Sequence, residues 1–461
     1  MPSGDCLRID PCYPPAPRSE LSSVRMELEF VCHASVIVRT PGAAIWTDPW
    51  LFGKAFNDSW SLLPEPSFDL QRLDEIDYLW VSHEHPDHFH IPTLRALPVE
   101  FKRRVCVLFQ DLTSTKMIDA FRRLGFEQIR TLRHREPVAL DPHTTVYCYQ
   151  VGQMDSCLAV ISGETTVLNM NDAEVSPRDL AILRSDLGSP DVVLTQFSIA
   201  GYSGWVDVDR HLPPKAEAKL QAMVEIHRLL EAKVTMPFAS FVYFSCADNA
   251  YINDYANTPQ DVVEAFDRQA LATAVLYPGD VMKVGEGHDS QQALQRYAED
   301  FADPSRRAYA SDRRVPLEDV EASFRQFCGR MRENFPSLVL RLLRPVTIDV
   351  PDLGQRVRIS VTAQRFEVGV TEPPALIVNS QPLECAFKHP FGVQTLGVSA
   401  RLKLLRNERN WRMHRLLCSL VNADVSLRPS RLLTRKNLQV MRRRWRGALA
   451  QVAHRMAIRR A

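Results

Sequence analysis

The stretch 81–90 constrains this chain more than any other, because it places four potential metal ligands within six residues. His83, His85, Asp87 and His88 form the pattern HxHxDH directly after an apolar run. A strand end projects alternate side chains to one side, so the pattern predicts that His83 and His85 hold one metal ion. The following loop is expected to turn Asp87 and His88 toward a second ion. Imidazole combined with carboxylate suits zinc, iron or manganese, whereas the alternative is a polar turn with chance histidines.

The composition indicates a soluble cytoplasmic protein. The 461 residues suffice for two or three domains, and a hydrophobic content of 45% with a net charge of +1 is ordinary for a globular chain. Ten cysteines occur without a CxxC pair, which predicts reduced thiols rather than a disulfide framework. We see neither a signal-peptide pattern nor an apolar run of the ~18 residues that a membrane helix needs.

The order of the predicted elements divides the chain into four parts. Short β-prone runs followed by alternating strands and helices predict a layered α/β domain, and a smaller α+β region follows it. The predicted parts are a Pro-rich, disordered leader (1–24), a metal-binding domain (25–289), a C-terminal α+β domain or extension (290–424) and a basic amphipathic helical tail (425–461).

The predicted tail contains no Asp or Glu, while Lys and Arg recur throughout it. Its apolar residues from Leu438 to Met456 fall at spacings of three or four, which is typical of one face of a helix. Such a helix would contact an anionic membrane surface or an acidic partner, or else pack on its own domain with a solvated basic face. Nucleic acid is not the expected partner.

Two further residues are candidates for the surroundings of the metal site. Asp48 ends the third predicted strand, where its carboxylate would hold a metal ligand by a hydrogen bond. A turn or helix-capping role is the alternative for Asp48. His33 lies in the turn between the first two predicted strands. A plain loop histidine is one interpretation of this residue, and the other is a histidine that faces the site in the same supporting role as Asp48.

The HxHxDH pattern after a strand resembles the signature of the metallo-β-lactamase superfamily. Flanking segments resemble the CMP-N-acetylneuraminate hydroxylase family without its Rieske part and, more distantly, ascorbate-6-phosphate lactonase-like metallohydrolases. These segments are Thr47–Gly53, Gln153–Cys157, Leu168–Asp172, Pro237–Ala239 and Phe391–Thr395. The resemblance runs from about Met26 to about Ala423. It implies a four-layer αββα fold with a C-terminal α+β extension.

The same resemblance implies three more metal ligands. Asp172 matches the family's bridging carboxylate, which sits between two metals, and Asp155 stands where hydrolytic members supply a histidine. Cys246 stands at the family's last histidine; a ligating thiolate and a buried apolar thiol are the alternatives there, with Asp248 or water as the replacement ligand. The expected catalytic residues are Asp172 and Asp87.

Two functions are compatible with this ligand set. Three carboxylates among the ligands favour iron or manganese over zinc. The first function is a non-haem di-iron monooxygenase acting on a sugar- or nucleotide-linked small molecule. Its electrons would come from a separate reductase, because the chain lacks the CxH and CxxH pairs of a Rieske cluster. The alternative is a zinc- or manganese-dependent hydrolase of an ester, lactone or phosphodiester through a metal-bound hydroxide. We favour the monooxygenase.

Overall fold

The computed structural model describes residues 26–152, 154–202, 204–302, 307–310, 313–405, 408–422 and 425–428. The predicted leader and the apolar face of the predicted basic tail lie outside these residues. Within them, no helix has the length and apolar character needed to cross a membrane.

Strands occur throughout the described residues and are most frequent before residue 200. They are β1 (Glu27–Cys32), β2 (Ser35–Arg39), β3 (Ala44–Thr47), β4 (Lys54–Ala55), β5 (Trp60–Leu62), β6 (Tyr78–Trp80), β7 (Cys106–Gln110), β8 (Gln128–Leu132), β9 (Pro137–Asp141), β10 (Thr144–Val151), β11 (Asp155–Ser162), β12 (Thr165–Asn171), β13 (Val192–Gln196), β14 (Val234–Phe238), β15 (Val242–Phe244), β16 (Val281–Lys283), β17 (Val346–Val350), β18 (Gln355–Ser360), β19 (Arg365–Val368), β20 (Leu376–Ile377) and β21 (Lys403–Leu404).

Helices lie between and after these strands. They are α1 (Ile91–Ala96), α2 (Val99–Arg104), α3 (Lys116–Arg123), α4 (Pro177–Leu187), α5 (Val208–Leu230), α6 (Pro259–Asp267), α7 (Gln291–Ala302), α8 (Leu317–Asn334), α9 (Ser337–Leu340), α10 (Ser380–Lys388), α11 (Gly392–Val398) and α12 (Glu408–Asn422), with short 3-10 turns at Leu70–Glu75, Ala250–Tyr255 and Pro351–Leu353.

Two sheets share one core in the first part of the chain. The strand orders are β16-β1-β2-β3-β6-β7-β8 in one sheet and β14-β13-β12-β11-β10-β9 in the other. Successive residues of a strand point to opposite faces, so Phe30 enters the shared core while Val31 joins a second core on the other face of its sheet. Leu158 and Leu194 of the other sheet are fully buried in the shared core. Burial on both faces requires a further layer outside each sheet.

Helices supply those outer layers. Phe101 of α2 and Phe121 of α3 pack against the first sheet, and Leu183 of α4 and Leu230 of α5 pack against the second. The resulting order is helix, sheet, sheet, helix. This confirms the predicted four-layer αββα fold.

Parallel strands bring the candidate ligands to one edge of the sandwich. Strands β3, β6, β7 and β8 are parallel neighbours, as are β12, β13 and β14. The HxHxDH stretch follows β6, and Asp172 follows β12. Loops at the carboxyl ends of such strands commonly form the ligand-binding edge of an α/β fold.

A second unit has its own core. Strands in the order β19-β18-β17-β20-β21 pack with α8, α10 and α12 around Phe324, Ile348 and Phe387. Helix α7 belongs with the earlier core instead, since Tyr297 stacks on Phe241 at 5.0 Å between ring centroids. The predicted division after residue 289 stays a prediction, and this packing favours one after α7.

Polar contacts dock the second unit on the first. The side chain of Arg401 is 1% exposed, and its Nε lies 3.1 Å from Oδ1 of Asp248. Asn249 Nδ2 donates to the main-chain oxygen of Ser399 at 2.8 Å. These mostly buried contacts join the two units.

Candidate metal centre

The first group of candidate ligands is centred on His83. Its Nε2 lies 2.7 Å from Nδ1 of His85 and 3.8 Å from Oδ1 of Asp172. One donor atom from each of these three residues falls within 4.8 Å of the others, close enough to share an ion. Oδ1 of Asp155 lies 4.0 Å from the same Nε2. The residues predicted for one metal therefore meet around a common point.

The second group contains His88, Asp87 and, unexpectedly, His33. Oδ2 of Asp87 lies 3.4 Å from Nε2 of His88 and 3.3 Å from Nε2 of His33. Asp172 connects the two groups, since its Oδ1 is also 3.3 Å from Nε2 of His88. A single carboxylate thus faces both candidate positions, which is the geometry that a bridging ligand requires.

Local backbone geometry explains these positions. The main-chain nitrogens of His88 and Phe89 donate to the oxygen of His85 at 3.0 and 2.7 Å, which closes a tight turn within the HxHxDH loop. His90 then caps α1, because its side chain accepts from Thr93 N. His33 adopts a left-handed φ of 50° in the β1–β2 turn, and its carbonyl accepts from Ala239 at 2.9 Å. These bonds fix both histidine-bearing turns.

The side chain of Asp48 orients the HxHxDH loop by hydrogen bonds. Its buried carboxylate accepts from the main-chain nitrogen and from the hydroxyl of Ser82, both at 2.7 Å. It also lies 2.8 Å from Nδ1 of His88, while Ser82 Oγ lies 2.9 Å from Nδ1 of His83. With Nδ1 engaged in this way, each imidazole presents Nε2 to the site, an arrangement typical of metal-ligating histidines.

Three polar residues that the sequence did not single out support the loop. Ser156 Oγ and Gln110 Nε2 both donate to the main-chain oxygen of Ser82, at 2.6 and 3.0 Å. Asn171 Nδ2 donates to the oxygen of Ser156 at 2.8 Å. Isolated Ser, Gln and Asn residues carry no sequence signal of their own, although their positions at strand ends match the edge where the ligands gather.

The site contains buried polar atoms that lack hydrogen-bond partners among the described residues. They are Nδ1 of His33, Oδ1 of Asp87, Nε2 of His88 and Oδ1 of Asp172. Native proteins pair nearly all such groups, so several unpaired atoms in one place require an explanation. Metal ions would satisfy the two carboxylate oxygens and the Nε2 atom together. The donor set therefore fits one or two bound metals.

The electrostatics point the same way. Burial and the nearby His88 lower the pKa of His83 well below its ordinary value. Burial opposes a charged His88, but the neighbouring carboxylates, Asp172 foremost, raise its pKa well above the ordinary range. Burial and the charge of Asp172 raise the pKa of Asp155 to about 8. Bound cations would favour the ionised carboxyl and neutral imidazoles, so metal binding here would release protons.

Cys246 is placed apart from both groups. Its side chain is buried, and Sγ lies 3.3 Å from the main-chain oxygen of Asp58. Among the described residues it is not in either candidate ligand group, and Asp248 is engaged with Arg401. The structure thus brings together all the predicted ligands except Cys246. Their roles as ligands stay predictions, and His33 joins them from the supporting position predicted for it.

Comparison with known proteins identifies related sequences. Residues 27–173 match the family model described as the beta-lactamase superfamily domain. A Mycobacterium tuberculosis protein named as a Rieske 2Fe-2S iron–sulfur protein is 31% identical over 256 residues, which are 51% of this chain and 48% of the relative. The cytidine monophosphate-N-acetylneuraminic acid hydroxylase of Danio rerio is 24% identical over 293 residues, 59% of this chain and 49% of the relative. The chain spans about half the length of these curated relatives.

Solved structures with some likeness include both oxidative and hydrolytic proteins. A diiron β-hydroxylase from Streptomyces venezuelae has a TM-score of 0.40 and 20% identity, covering 57% of this chain and 55% of that one. An isothiocyanate hydrolase from Delia radicum gut bacteria has a TM-score of 0.42 and 14% identity, covering 56% and 98% respectively.

Proposed function

We propose, from the premise that residues 27–173 belong to the metallo-β-lactamase superfamily, that this metal-dependent enzyme is a non-haem diiron monooxygenase. The observation that carries the proposal is the third carboxylate, Asp155, beside His83. With Asp87 and Asp172 it makes an anionic donor set of the kind that suits iron better than an all-imidazole site would. Asp172 faces both ligand groups and would hold both ions.

Iron bound there would allow dioxygen to react with two electrons from a donor and two protons, so that one oxygen atom enters a substrate C–H bond and the other leaves as water. The chain's own residues hold and shield this centre. Asp48 keeps Nε2 of His88 directed inward, and Phe56 packs edge-on to His85 at 5.9 Å between ring centroids. Burial of His33, His83 and His88 restricts water at the site.

The names of two relatives support an iron–sulfur electron donor and a sugar- or nucleotide-linked substrate. One is named for a Rieske 2Fe-2S cluster, and another for hydroxylation of cytidine monophosphate-N-acetylneuraminic acid. We therefore propose an iron–sulfur cluster as the electron donor; because the given residues have neither a CxH nor a CxxH pair, they would not hold that cluster themselves. A sugar- or nucleotide-linked small molecule is the proposed substrate.

Metal analysis combined with redox spectroscopy tests this function. Protein purified from iron-supplemented cells without added metal should contain about two irons per chain. Its iron spectrum should change on anaerobic reduction and return when oxygen is admitted. Zinc at full occupancy with no redox response would contradict the proposal.

A hydrolase is the second candidate, favoured by the number of imidazoles. With His33 included, four histidines face the two groups, and imidazole is a common zinc ligand. A zinc or manganese enzyme would hydrolyse an ester, lactone or phosphodiester at the same site. Turnover of such a substrate under strict exclusion of oxygen would establish this function in place of the first.

A further inference from the structure

We infer that Lys215, Lys219 and Arg415 form an anion-binding site beside the metal centre, so that the substrate carries a phosphate or carboxylate group. The inference deepens the proposed function and rests on it for the identity of the reacting site. The three residues are here called the basic cluster. Two come from α5 of the first unit and the third from α12 of the second.

Lys219 lies at the same strand edge as the metal ligands. Its Nζ donates to Oε1 of Gln196 at 2.5 Å, and Gln196 is the last residue of β13. The same Nζ lies 3.6 Å from Oε1 of Glu174, only two residues after Asp172. Lys219 is therefore next to the loop that carries the proposed bridging carboxylate.

Lys215 lies one helical turn before Lys219, on the same side of α5. Its Nζ donates to the main-chain oxygen of Gly201, in the segment that follows β13. Among the described residues, no carboxylate lies within ion-pair distance of this ammonium group. Burial and the charge of Lys219 lower the pKa of Lys215 to about 8. Lys215 is thus a desolvated cation with a second cation, Lys219, one helical turn away.

Arg415 completes the cluster from the second unit. A methyl group built on Gly397 would lie 3.7 Å from Nη2 of Arg415. The oxygen of Gly397 accepts from the main-chain nitrogen of Tyr202 at 3.0 Å, next to the Gly201 carbonyl that Lys215 contacts. The charge of Arg415 also contributes to the lowered pKa of Lys215. Lys215 of the first unit and Arg415 of the second therefore lie close to the same segment, Gly201–Tyr202.

The charges of the cluster do not balance within the described residues. Glu174 is the carboxylate that contacts it, and the Glu174 side chain is 86% exposed, so solvent screens much of its charge. Like charges one helical turn apart also repel each other. A bound phosphate or carboxylate would relieve this repulsion, and a guanidinium beside ammonium groups is well suited to hold it. A substrate held there by its anionic end would present its remainder to the neighbouring metal ligands.

Binding of charged and uncharged probes tests the inference in the full-length protein as isolated. Cytidine 5′-monophosphate and N-acetylneuraminate supply the two anionic groups, and cytidine is the uncharged counterpart of the first. Calorimetric titration should detect whichever anion is recognised and should show no comparable binding of cytidine. Lys215→Met and Arg415→Met should each weaken binding about tenfold or more, because each removes a charge-assisted hydrogen bond. Lys215→Arg keeps the positive charge and should retain most of the anion affinity.

Lys283→Met is the matched control, since Lys283 is an exposed lysine on β16 away from the cluster. Thermal unfolding checks that each variant is folded, and Arg415→Met keeps the test decisive if loss of the Lys215 bond to Gly201 impairs folding. Metal content measured in parallel should be unchanged in all variants. Equal binding by the wild type and the variants, binding of neither anion, or equally tight binding of cytidine would overturn the inference. If the wild-type protein binds the anion but contains no redox-active iron, only the proposed function is overturned and the anion site stands.

Discussion

Nε2 of His33 lies 3.3 Å from Oδ2 of Asp87, although 54 residues separate them in the chain. The β1–β2 turn thus places a buried imidazole next to Asp87 of the HxHxDH loop. In that position the His33 imidazole is close enough to Asp87 and His88 to share a metal ion with them, and we propose it as a third ligand of that group. Cys246, which the resemblance matched to the family's last histidine, is in neither ligand group among the described residues.

Replacing His33 by alanine should therefore remove one metal selectively. The variant should contain about one ion per chain instead of about two, because the ligand group around His83 remains intact. Elemental analysis after desalting measures this. His143→Ala, at an exposed histidine, is the control and should keep the wild-type content. Wild-type stoichiometry and affinity in His33→Ala would show that this imidazole is not a ligand.

Asp172→Asn should have a broader effect, since Oδ1 of Asp172 faces both His83 and His88. An amide supplies no negative charge and bridges two cations poorly, so both ions should bind at least about 100-fold more weakly. Competition with a chelator of known affinity measures the change. Asp74→Asn, at a fully exposed side chain, should behave as the wild type. Full metal content in Asp172→Asn would refute the assigned bridging role.

Asp48→Asn should weaken metal binding without removing a ligand. The variant loses the anionic acceptor that holds Nδ1 of His88, and such changes cost about 10- to 100-fold in metal affinity. The same chelator competition, with circular dichroism to confirm folding, separates this effect from unfolding. An unchanged affinity in the folded variant would mean that the His88 ring keeps its orientation without the carboxylate.

The part of the centre that could be predicted from the sequence is the part encoded locally. His83, His85, Asp87 and His88 are neighbours in the chain, so their pattern alone indicates a metal loop. His33 is brought to them only by the pairing of β1 with β2 and the left-handed turn between them. A single histidine in a turn looks the same in the sequence whether it faces a metal or solvent.

The fold shows the same division between local and non-local information. The alternating residues Val346, Ile348 and Val350 carry a strand pattern, so the sequence alone can predict β17. By contrast, residues 403–404 form β21 because Leu404 pairs with Leu376 and with the carbonyl of Gly204. Those partners are distant in the chain, so no local pattern in the sequence predicts this strand.

Asp248→Asn should destabilise the docking of the second unit. The Arg401 guanidinium would stay buried with a weaker partner, which lowers the free energy of unfolding by about 3 kcal/mol. Chemical denaturation measures the change, and the metal content should stay the same. Glu321→Gln removes an exposed pair with Arg325 and should cost less than about 0.5 kcal/mol. A similarly small effect in Asp248→Asn would mean that apolar packing alone holds the units together.

Glu29 should make the stability of the first sheet depend on pH. Its side chain is 7% exposed and accepts from Arg72 at 2.6 and 2.9 Å and from Arg39 at 3.0 Å. Burial alone would raise the pKa of Glu29, but the two arginines lower it below the ordinary value of 4.5. A depressed folded-state pKa means that the unfolded chain binds the proton more readily. The stabilisation is therefore complete above about pH 4.5 and is lost as the pH falls through the lower folded-state value.

Glu29→Gln should accordingly lower the free energy of unfolding by about 2 kcal/mol at pH 7, since charge-assisted hydrogen bonds are replaced by neutral ones. The difference from the wild type should shrink as the pH falls below 4.5, where the wild-type side chain becomes neutral as well. Urea denaturation at several pH values measures both quantities. Glu27→Gln, two residues earlier on the same strand, is the control and should show a smaller difference. A Glu29→Gln effect that stays constant down to pH 3 would show that the shape of the side chain stabilises the sheet, and not its charge.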